Sequence, residues 1–177
     1  HRVDRRQRQM CIRDRQEPNG LVDSWGNSYY LSSSKIISRD KMEFRYGKVE
    51  ARVKTVNGQG FWPAFWMLPS GGSWPCDGEI DIMEQWGSDY PTNSTTGAAH
   101  IGSCPGPSSY NSFNHYSTNG NYADDFHIYS VIWQENYIAW YVDGVKVHSI
   151  SPSSYSSIPT QHLSLIHISE PTRRRGI

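Results

Sequence analysis

One short stretch, DGEIDIMEQWG at positions 77–87, most constrains how this chain can fold. Side chains alternate between the two faces of a β-strand, so Glu79 and Asp81 share one face while the intervening Ile residues face a core. Strict alternation would bury Glu84 in that core, and an unpaired buried charge is costly. The stretch therefore predicts a strand with one extra residue, a bulge near Ile82-Met83, which returns Glu84 to the acidic face.

Three carboxylates on one strand face favour a site with a shared proton. Neighbouring carboxylates resist ionising together, so the pKa of at least one of them rises. Hydrolysis of a glycosidic bond needs such a pair near neutral pH, one carboxyl ionised and the other protonated. Spacing alone also leaves open a solvated acidic strand whose pattern is accidental.

The motif EIDIME at positions 79–84 resembles the catalytic signature of family 16 glycoside hydrolases, in its bulged, laminarinase-like form. Four further blocks match that family in the family's order: 46–54 (YGKVEARVK), 60–69 (GFWPAFWMLP), 98–102 (AAHIG) and 140–144 (WYVDG). The resemblance covers roughly positions 31–150. It implies a concanavalin A-like jelly roll that binds sugar across a concave sheet.

Strand and turn signals independently predict an all-β fold, an antiparallel β-sandwich. Residues 43–56 alternate with one apolar face, and residues 61–68 form the apolar run of a buried strand. Asp143-Gly144 is a strong hairpin signal within a meander that ends near Ile150. No amphipathic helix interrupts these patterns. The family domain is longer than the matching part of this chain, so we expect a jelly roll that is incomplete at both ends.

Both ends of the chain resemble translated sequencing-adapter DNA. The peptides at 10–14 (MCIRD) and 163–168 (LSLIHI) can be encoded by opposite strands of one DNA element. We therefore expect residues 1–16 and 163–177 to be adapter-derived and non-native, and residues 17–162 to be a partial catalytic domain. Residues 163–168 alternate apolar and polar, so they would suit a strand by accident. Native flanking codons in the source DNA would contradict this interpretation.

Without those ends, the charge of the chain argues against nucleic-acid binding. Residues 17–162 hold eight basic and 14 acidic side chains, a net charge of −6 with His neutral, whereas nucleic-acid sites are basic. No apolar run is long enough to span a membrane. All seven Trp and all eleven Tyr lie in this segment and suit stacking on sugar rings. We expect a monomer whose partner is a polysaccharide, and the resemblance implies an extracellular, secreted protein.

The resemblance implies a role for each carboxylate. Glu79 would be the nucleophile, and Glu84 the general acid that later acts as the base. Asp81 would hold a proton or hydrogen bond that tunes Glu79. A retaining mechanism needs the two reactive carboxylates about 5–5.5 Å apart, which residues of one strand can provide. This chemistry needs no metal ion and no cofactor.

Four ring-bearing side chains are candidates for substrate binding. The resemblance places Trp62 and Trp66 at the donor subsites, although a Trp in such an apolar run is more often a core residue. Trp86 could be a cleft wall or a core residue. His100 occupies a family position near the acid/base residue, although a lone His is more often structural.

Two cysteines, Cys76 and Cys104, flank the acidic strand. They could form a disulfide in an oxidising compartment or stay free, because the sequence does not place their Cα atoms within bridging distance. Residues 102–125 are polar and are predicted to be a long loop that shapes the acceptor side of a cleft.

The block at 60–69 resembles β-1,3-glucanases, so the expected activity is hydrolysis of β-1,3-glucan or mixed β-1,3-1,4-glucan. A β-galactanase of agarase or carrageenase type is the first alternative. A non-catalytic β-glucan-binding module is the second, although such family members usually lack one of the acidic residues that this chain retains. Missing edge strands would also expose unpaired backbone, so the chain could fold poorly and aggregate.

Overall fold

The computed structural model describes residues 15–32, 34–56, 58, 61–86, 93–102, 108–151 and 158–171. The regular elements within these ranges are β-strands joined by turns and loops, and none of the described residues belongs to a helix long and apolar enough to cross a membrane. In chain order the strands are β1 (Arg15–Val22), β2 (Ser28–Ser32), β3 (Ser34–Ile37), β4 (Glu43–Phe44), β5 (Gly47–Val53), β6 (Phe61–Pro69), β7 (Glu79–Glu84), β8 (Ser94–Gly102), β9 (Ser108–Tyr116), β10 (His127–Gln134), β11 (Tyr137–Val142), β12 (Val145–Ile150) and β13 (Leu163–Pro171).

The strands pair into antiparallel sheets. One sheet has the order β3-β13-β6-β7-β8-β9, with β4 also paired to β13. The second has the order β12-β11-β10-β5, and β1 and β2 form a separate ribbon. The acidic strand β7 lies inside the larger sheet, between β6 and β8. The predicted all-β, antiparallel architecture is confirmed.

The apolar core lies between the two larger sheets. In β10, every second side chain points inward, and Tyr129, Val131 and Trp133 are each fully buried. They meet Ile80 and Met83 of β7, which are also fully buried. Each such side chain contributes roughly 1.5–3 kcal/mol by leaving water. The core therefore supports the acidic strand from its apolar face.

The turn between β11 and β12 is the one that the sequence predicts. Asp143 and Gly144 both have positive φ, 50° and 79°. A two-residue hairpin of this kind requires positive φ at both positions, which Asp tolerates and Gly adopts without cost.

The prediction of one long loop over residues 102–125 is wrong in part. Residues 108–116 form β9, which pairs with β8 from Ser94↔Tyr116 to Gly102↔Ser108. From position 111 to 116 the side chains alternate between half-buried and exposed. In this part of the strand the exposed side chains are Ser112, Asn114 and Tyr116, a mostly polar set whose composition resembled that of a loop.

Residues 163–171, which we predicted to be part of an adapter-derived end, form β13. This strand pairs with β6 along nine residues, and Leu163 and Ser164 are buried. The alternation in LSLIHI thus suits a strand, as expected. The adapter origin of 1–16 and 163–177 stays a prediction, and residues 1–14 lie outside the part of the chain that the structure describes.

Candidate active site

The acidic strand β7 contains the predicted bulge. Asp81 and Glu84, three positions apart, pair with Ala98 and Thr96 of β8, which are two positions apart. In the pairing with β6, Phe65 lies opposite Met83 and Trp66 lies opposite Asp81. Ile82, between Asp81 and Met83, is therefore the extra residue. The bulge returns Glu84 to the face that carries Asp81, as the cost of burying its charge required.

Asp81 connects two neighbouring side chains on this face. It is only 3% exposed, and its Oδ2 lies 2.9 Å from Nε2 of His100. It is also hydrogen-bonded to Glu79. His100 pairs with Glu79 across β7 and β8. The sheet thus brings together three of the residues that the sequence singled out.

Each of the two outer carboxylates accepts a hydrogen bond from an indole. Nε1 of Trp62 donates to Oε1 of Glu84 over 2.9 Å, and Nε1 of Trp74 donates to Oε2 of Glu79 over 2.5 Å. An indole N–H can only donate, so both contacts favour the ionised carboxylate.

Trp74 is a site residue that the sequence reasoning did not select. Its side chain is 56% exposed, and its ring centroid lies 6.2 Å from that of His100. Its position five residues before Glu79, in the loop that leads into β7, was the only available signal. Distance along the chain did not indicate which way the indole would point.

The three Trp residues proposed for substrate binding lie beside the carboxylates. The rings of Trp62 and Trp86 stack with centroids 4.0 Å apart. Trp66 pairs with Asp81 across β6 and β7, and paired residues share a sheet face. Nζ of Lys35 lies 5.7 Å from the Trp66 ring centroid. Both Trp side chains of β6 therefore lie on the carboxylate face.

Burial dominates the electrostatics of the three carboxyls. It raises the pKa of Glu79 to about 7, and the charge of Asp81 adds to the rise. Burial, with the charge of Glu84, also raises the pKa of Asp81. The pKa of Glu84 is raised by burial, against the lowering effect of the Trp62 hydrogen bond. The cluster therefore retains protons at a pH where isolated carboxyls are ionised.

Three of these side chains also have the geometry of a possible metal site. Glu79, Asp81 and His100 each offer one ligand atom, and the three atoms lie within 4.8 Å of one another. The two-carboxylate chemistry described below does not require an ion there.

Cys76 forms a disulfide. Cys104 lies outside the described residues, so the predicted pairing of these two cysteines stays a prediction.

Two known proteins are similar to most of this chain. Over 130 residues the chain is 40% identical to a glucan endo-1,3-β-glucosidase A1 of Niallia circulans, covering 71% of this chain and 19% of that protein. It is 34% identical over 171 residues to a β-1,3-glucan-binding protein of Penaeus monodon, covering 77% of this chain and 46% of that protein. The chain thus spans less than half the length of either relative.

A solved structure shares the fold. The catalytic domain of an endo-1,3-β-glucanase (laminarinase) from Thermotoga petrophila superimposes with a TM-score of 0.78 at 30% identity, covering 92% of this chain and 66% of that one. The family model for glycosyl hydrolases family 16 matches residues 6–171, a range that reaches into both ends that we predict to be adapter-derived. With the bulged acidic strand and this match across most of its length, the chain belongs to glycosyl hydrolases family 16.

Proposed function

We propose that this protein is a retaining endo-glycosidase that hydrolyses β-1,3-glucan or mixed β-1,3-1,4-glucan. The observation that carries the proposal is the bulged strand β7, which presents Glu79, Asp81 and Glu84 on one face of the sheet. Two carboxyls with raised pKa values on one strand suit an acid and a nucleophile that work together. The likeness to glucan endo-1,3-β-glucosidases supports the substrate class.

In the first step, the Glu79 carboxylate attacks the anomeric carbon. The bond from that carbon to the leaving oxygen breaks, and Glu84 transfers its proton to that oxygen. In the second step, the Glu84 carboxylate takes a proton from water as the water attacks the same carbon. The bond to Glu79 then breaks, which restores both side chains and leaves the configuration of the sugar unchanged.

Asp81 and His100 adjust the charge of Glu79. In the tautomer with hydrogen on Nε2, His100 donates to Asp81 Oδ2 over 2.9 Å. Burial raises the pKa of Asp81 and so favours its protonated form. A protonated Asp81 can donate a hydrogen bond to the Glu79 carboxylate and stabilise its negative charge until it attacks.

The aromatic side chains around the carboxylates supply flat surfaces for sugar rings. The stacked pair of Trp62 and Trp86 adjoins Glu84, and the exposed Trp74 adjoins Glu79. Aromatic faces contribute large apolar contact areas, and their N–H groups keep a polar function. This arrangement supports binding of a glucan chain that runs across β6 and β7, with sugar units on either side of the scissile bond.

Sugar release from laminarin, mixed-linkage glucan and agarose tests the proposal. We expect release from laminarin by the wild-type protein and its loss in Glu79→Gln and Glu84→Gln. Removal of the general acid should lower kcat by about 10²–10⁴-fold. Proton NMR of the first-formed product should show the β-anomer, because two displacements retain configuration. A first-formed α-anomer would contradict the double displacement, and release from agarose alone would indicate a galactanase.

The likeness to a β-1,3-glucan-binding protein favours a second candidate, a module that binds glucan without cleaving it. Binding of laminarin by the folded wild-type protein, with no release of sugar after prolonged incubation, would select that function.

The disulfide at Cys76 supports an extracellular location, because disulfides persist in oxidising compartments. We propose secretion on this ground. The mass of the intact protein after alkylation, with and without prior reduction, would test whether the bond forms in the secreted material.

A further inference from the structure

We infer that Trp140, which belongs to the opposite sheet, is a positioning residue that holds the bulge of β7 in place from the core side. The absence of a side chain at Gly97 leaves the space that this contact needs. The inference rests on the proposed function, because the bulge matters there as the feature that directs Glu84 into the cleft.

The contact that carries this inference crosses the core. Nε1 of Trp140, in β11, donates a hydrogen bond of 2.8 Å to the backbone carbonyl oxygen of Asp81. Trp140 is 1% exposed. The accepting oxygen belongs to the peptide group that joins Asp81 to Ile82, the extra residue of the bulge. The first peptide group of the bulge is therefore fixed by a donor outside its own sheet.

Gly97 provides the room for this arrangement. It lies in β8 between Thr96 and Ala98, the partners of the two residues that flank the bulge. A Cβ atom at this position would lie 2.9 Å from the Asp81 carbonyl oxygen and 2.7 Å from Cε1 of Phe113. Both distances are shorter than real Cβ contacts. A side chain at position 97 would therefore displace either the bulge or the aromatic ring beside it.

Two rings hold the indole of Trp140 in the direction that reaches the bulge. Phe113 packs edge-on against it with ring centroids 5.6 Å apart. The ring centroid of His148 also lies 5.6 Å away, and His148 stacks on Phe113 at 4.9 Å. Phe113 also lies against Gly97. The hydrogen-bond donor Trp140 and the space at Gly97 therefore belong to one packed group of side chains.

This group lies on the side of β7 away from the cleft. A change in the position of the bulge changes the face to which the following side chain points, because side chains alternate with period two. Glu84 follows Ile82 by two residues. Loss of the Trp140 hydrogen bond should therefore alter the direction of Glu84 without removing any side chain from the cleft.

The test compares Trp140→Phe with Trp133→Phe. Trp133 is an equally buried Trp of the same core, and its Nε1 donates to the backbone carbonyl of Pro159 over 2.9 Å. Each variant loses one indole donor to a carbonyl, so both should lose stability to a similar extent. We expect Trp140→Phe to lower kcat by about 10²-fold, as displacement of a reacting group by about 1 Å does. KM should stay unchanged, and Trp133→Phe should keep nearly the wild-type kcat.

A second measurement does not depend on activity. Titration of ¹³C-labelled Glu carboxyls by NMR should show a displaced pKa for Glu84 in Trp140→Phe and the wild-type value in Trp133→Phe. If the wild-type protein releases no sugar, the proposed function fails, and this titration still tests the positioning of Glu84. Equal kcat values and identical Glu84 titrations in the two variants would overturn the inference.

If Trp140→Phe does not fold, Gly97→Ala applies the same test with the indole intact. We expect it to lower kcat and shift the Glu84 titration. Gly71→Ala is its control, because an added Cβ there meets nothing within 4 Å. Wild-type kcat and Glu84 titration in a folded Gly97→Ala would contradict the inference.

Discussion

At the scale of single residues, the two outer carboxylates are distinguished by their hydrogen-bond partners. Glu84 accepts one indole N–H, from Trp62. Glu79 accepts one from Trp74 and is also bonded to Asp81. Because an indole N–H that donates to a carboxylate lowers its pKa, the two indole contacts oppose the rise that burial causes. At each carboxyl, burial and the indole hydrogen bond together set the pKa. The two pKa values decide which carboxyl retains the proton that the general acid needs.

Trp62→Phe should therefore raise the pKa of Glu84, because it removes the N–H that lowers it and keeps a ring against Trp86. Glu84 must be protonated to act as the acid, so the alkaline limb of kcat/KM should move to higher pH. A hydrogen bond to a charged group is worth about 1.5–3 kcal/mol, which corresponds to a shift of about one pH unit or more. A pH–rate profile on laminarin measures it.

Trp66→Phe is the matched control, since it makes the same ring change on the same sheet face. An alkaline limb that shifts equally in both variants, or in neither, would show that the Trp62 hydrogen bond does not set the pKa of Glu84.

At the scale of elements, β13 connects parts of the larger sheet. It lies between β3 and β6 and pairs with both. Leu163 and Ile166 are 0% and 4% exposed, and Leu163 belongs to the shared core. Without β13, the edge of β6 would present unpaired backbone groups, which promote association with other chains.

A chain that ends at His162 should therefore lose its cooperative thermal transition and aggregate. Burial of two aliphatic side chains contributes about 1.5–3 kcal/mol each, and the strand ladder adds to this. Their sum is a large part of the roughly 5–15 kcal/mol by which a domain is stable. Circular dichroism melts and size-exclusion chromatography measure the outcome.

A chain that ends at Pro171 is the control for truncation, because it keeps all of β13. If the chain ending at His162 melted cooperatively at an unchanged temperature, β13 would not stabilise the sheet. Such a result would agree with the adapter origin that the sequence predicts for this end.

At the scale of the whole molecule, the acidic site should cost stability at neutral pH. The pKa of Glu79 is about 7 in the folded chain, against an ordinary value of 4.5. Between these two values the folded state binds more protons than the unfolded state. The free energy of unfolding therefore falls as the pH rises from about 4.5 to about 7, and the loss persists above pH 7.

Glu79→Gln should accordingly raise the melting temperature above pH 7 and leave it unchanged near pH 4.5. The pKa difference corresponds to at most about 3 kcal/mol, and solvent at the partly exposed carboxyl reduces this value. Melts across this pH range measure the effect, with Glu135→Gln in an exposed turn as the control. A melting temperature that rose equally at both pH values would show that the carboxyl charge is not the cause.

The sequence by itself determined the features that neighbouring residues encode. The period of two in EIDIME, with the cost of burying Glu84, predicted both the strand and its bulge. Asp143-Gly144 predicted its hairpin because few residues tolerate positive φ. The ordered motifs also identified the family. Each of these motifs is itself a short run of consecutive residues, and the family was identified from their order along the chain.

Only the tertiary structure decided which distant side chains meet. Trp62 lies 22 positions from Glu84 in the chain, and Trp140 lies 59 positions from Asp81. Periodicity tells which side chains share a face, but it cannot tell what the facing strand or the opposite sheet places there. The direction of Trp74 was missed for the same reason, whereas β9 was missed because its polar composition resembles that of a loop. Strand pairing within the larger sheet therefore selected the hydrogen bond from Trp62 to Glu84, and packing between sheets selected the one from Trp140 to the Asp81 backbone.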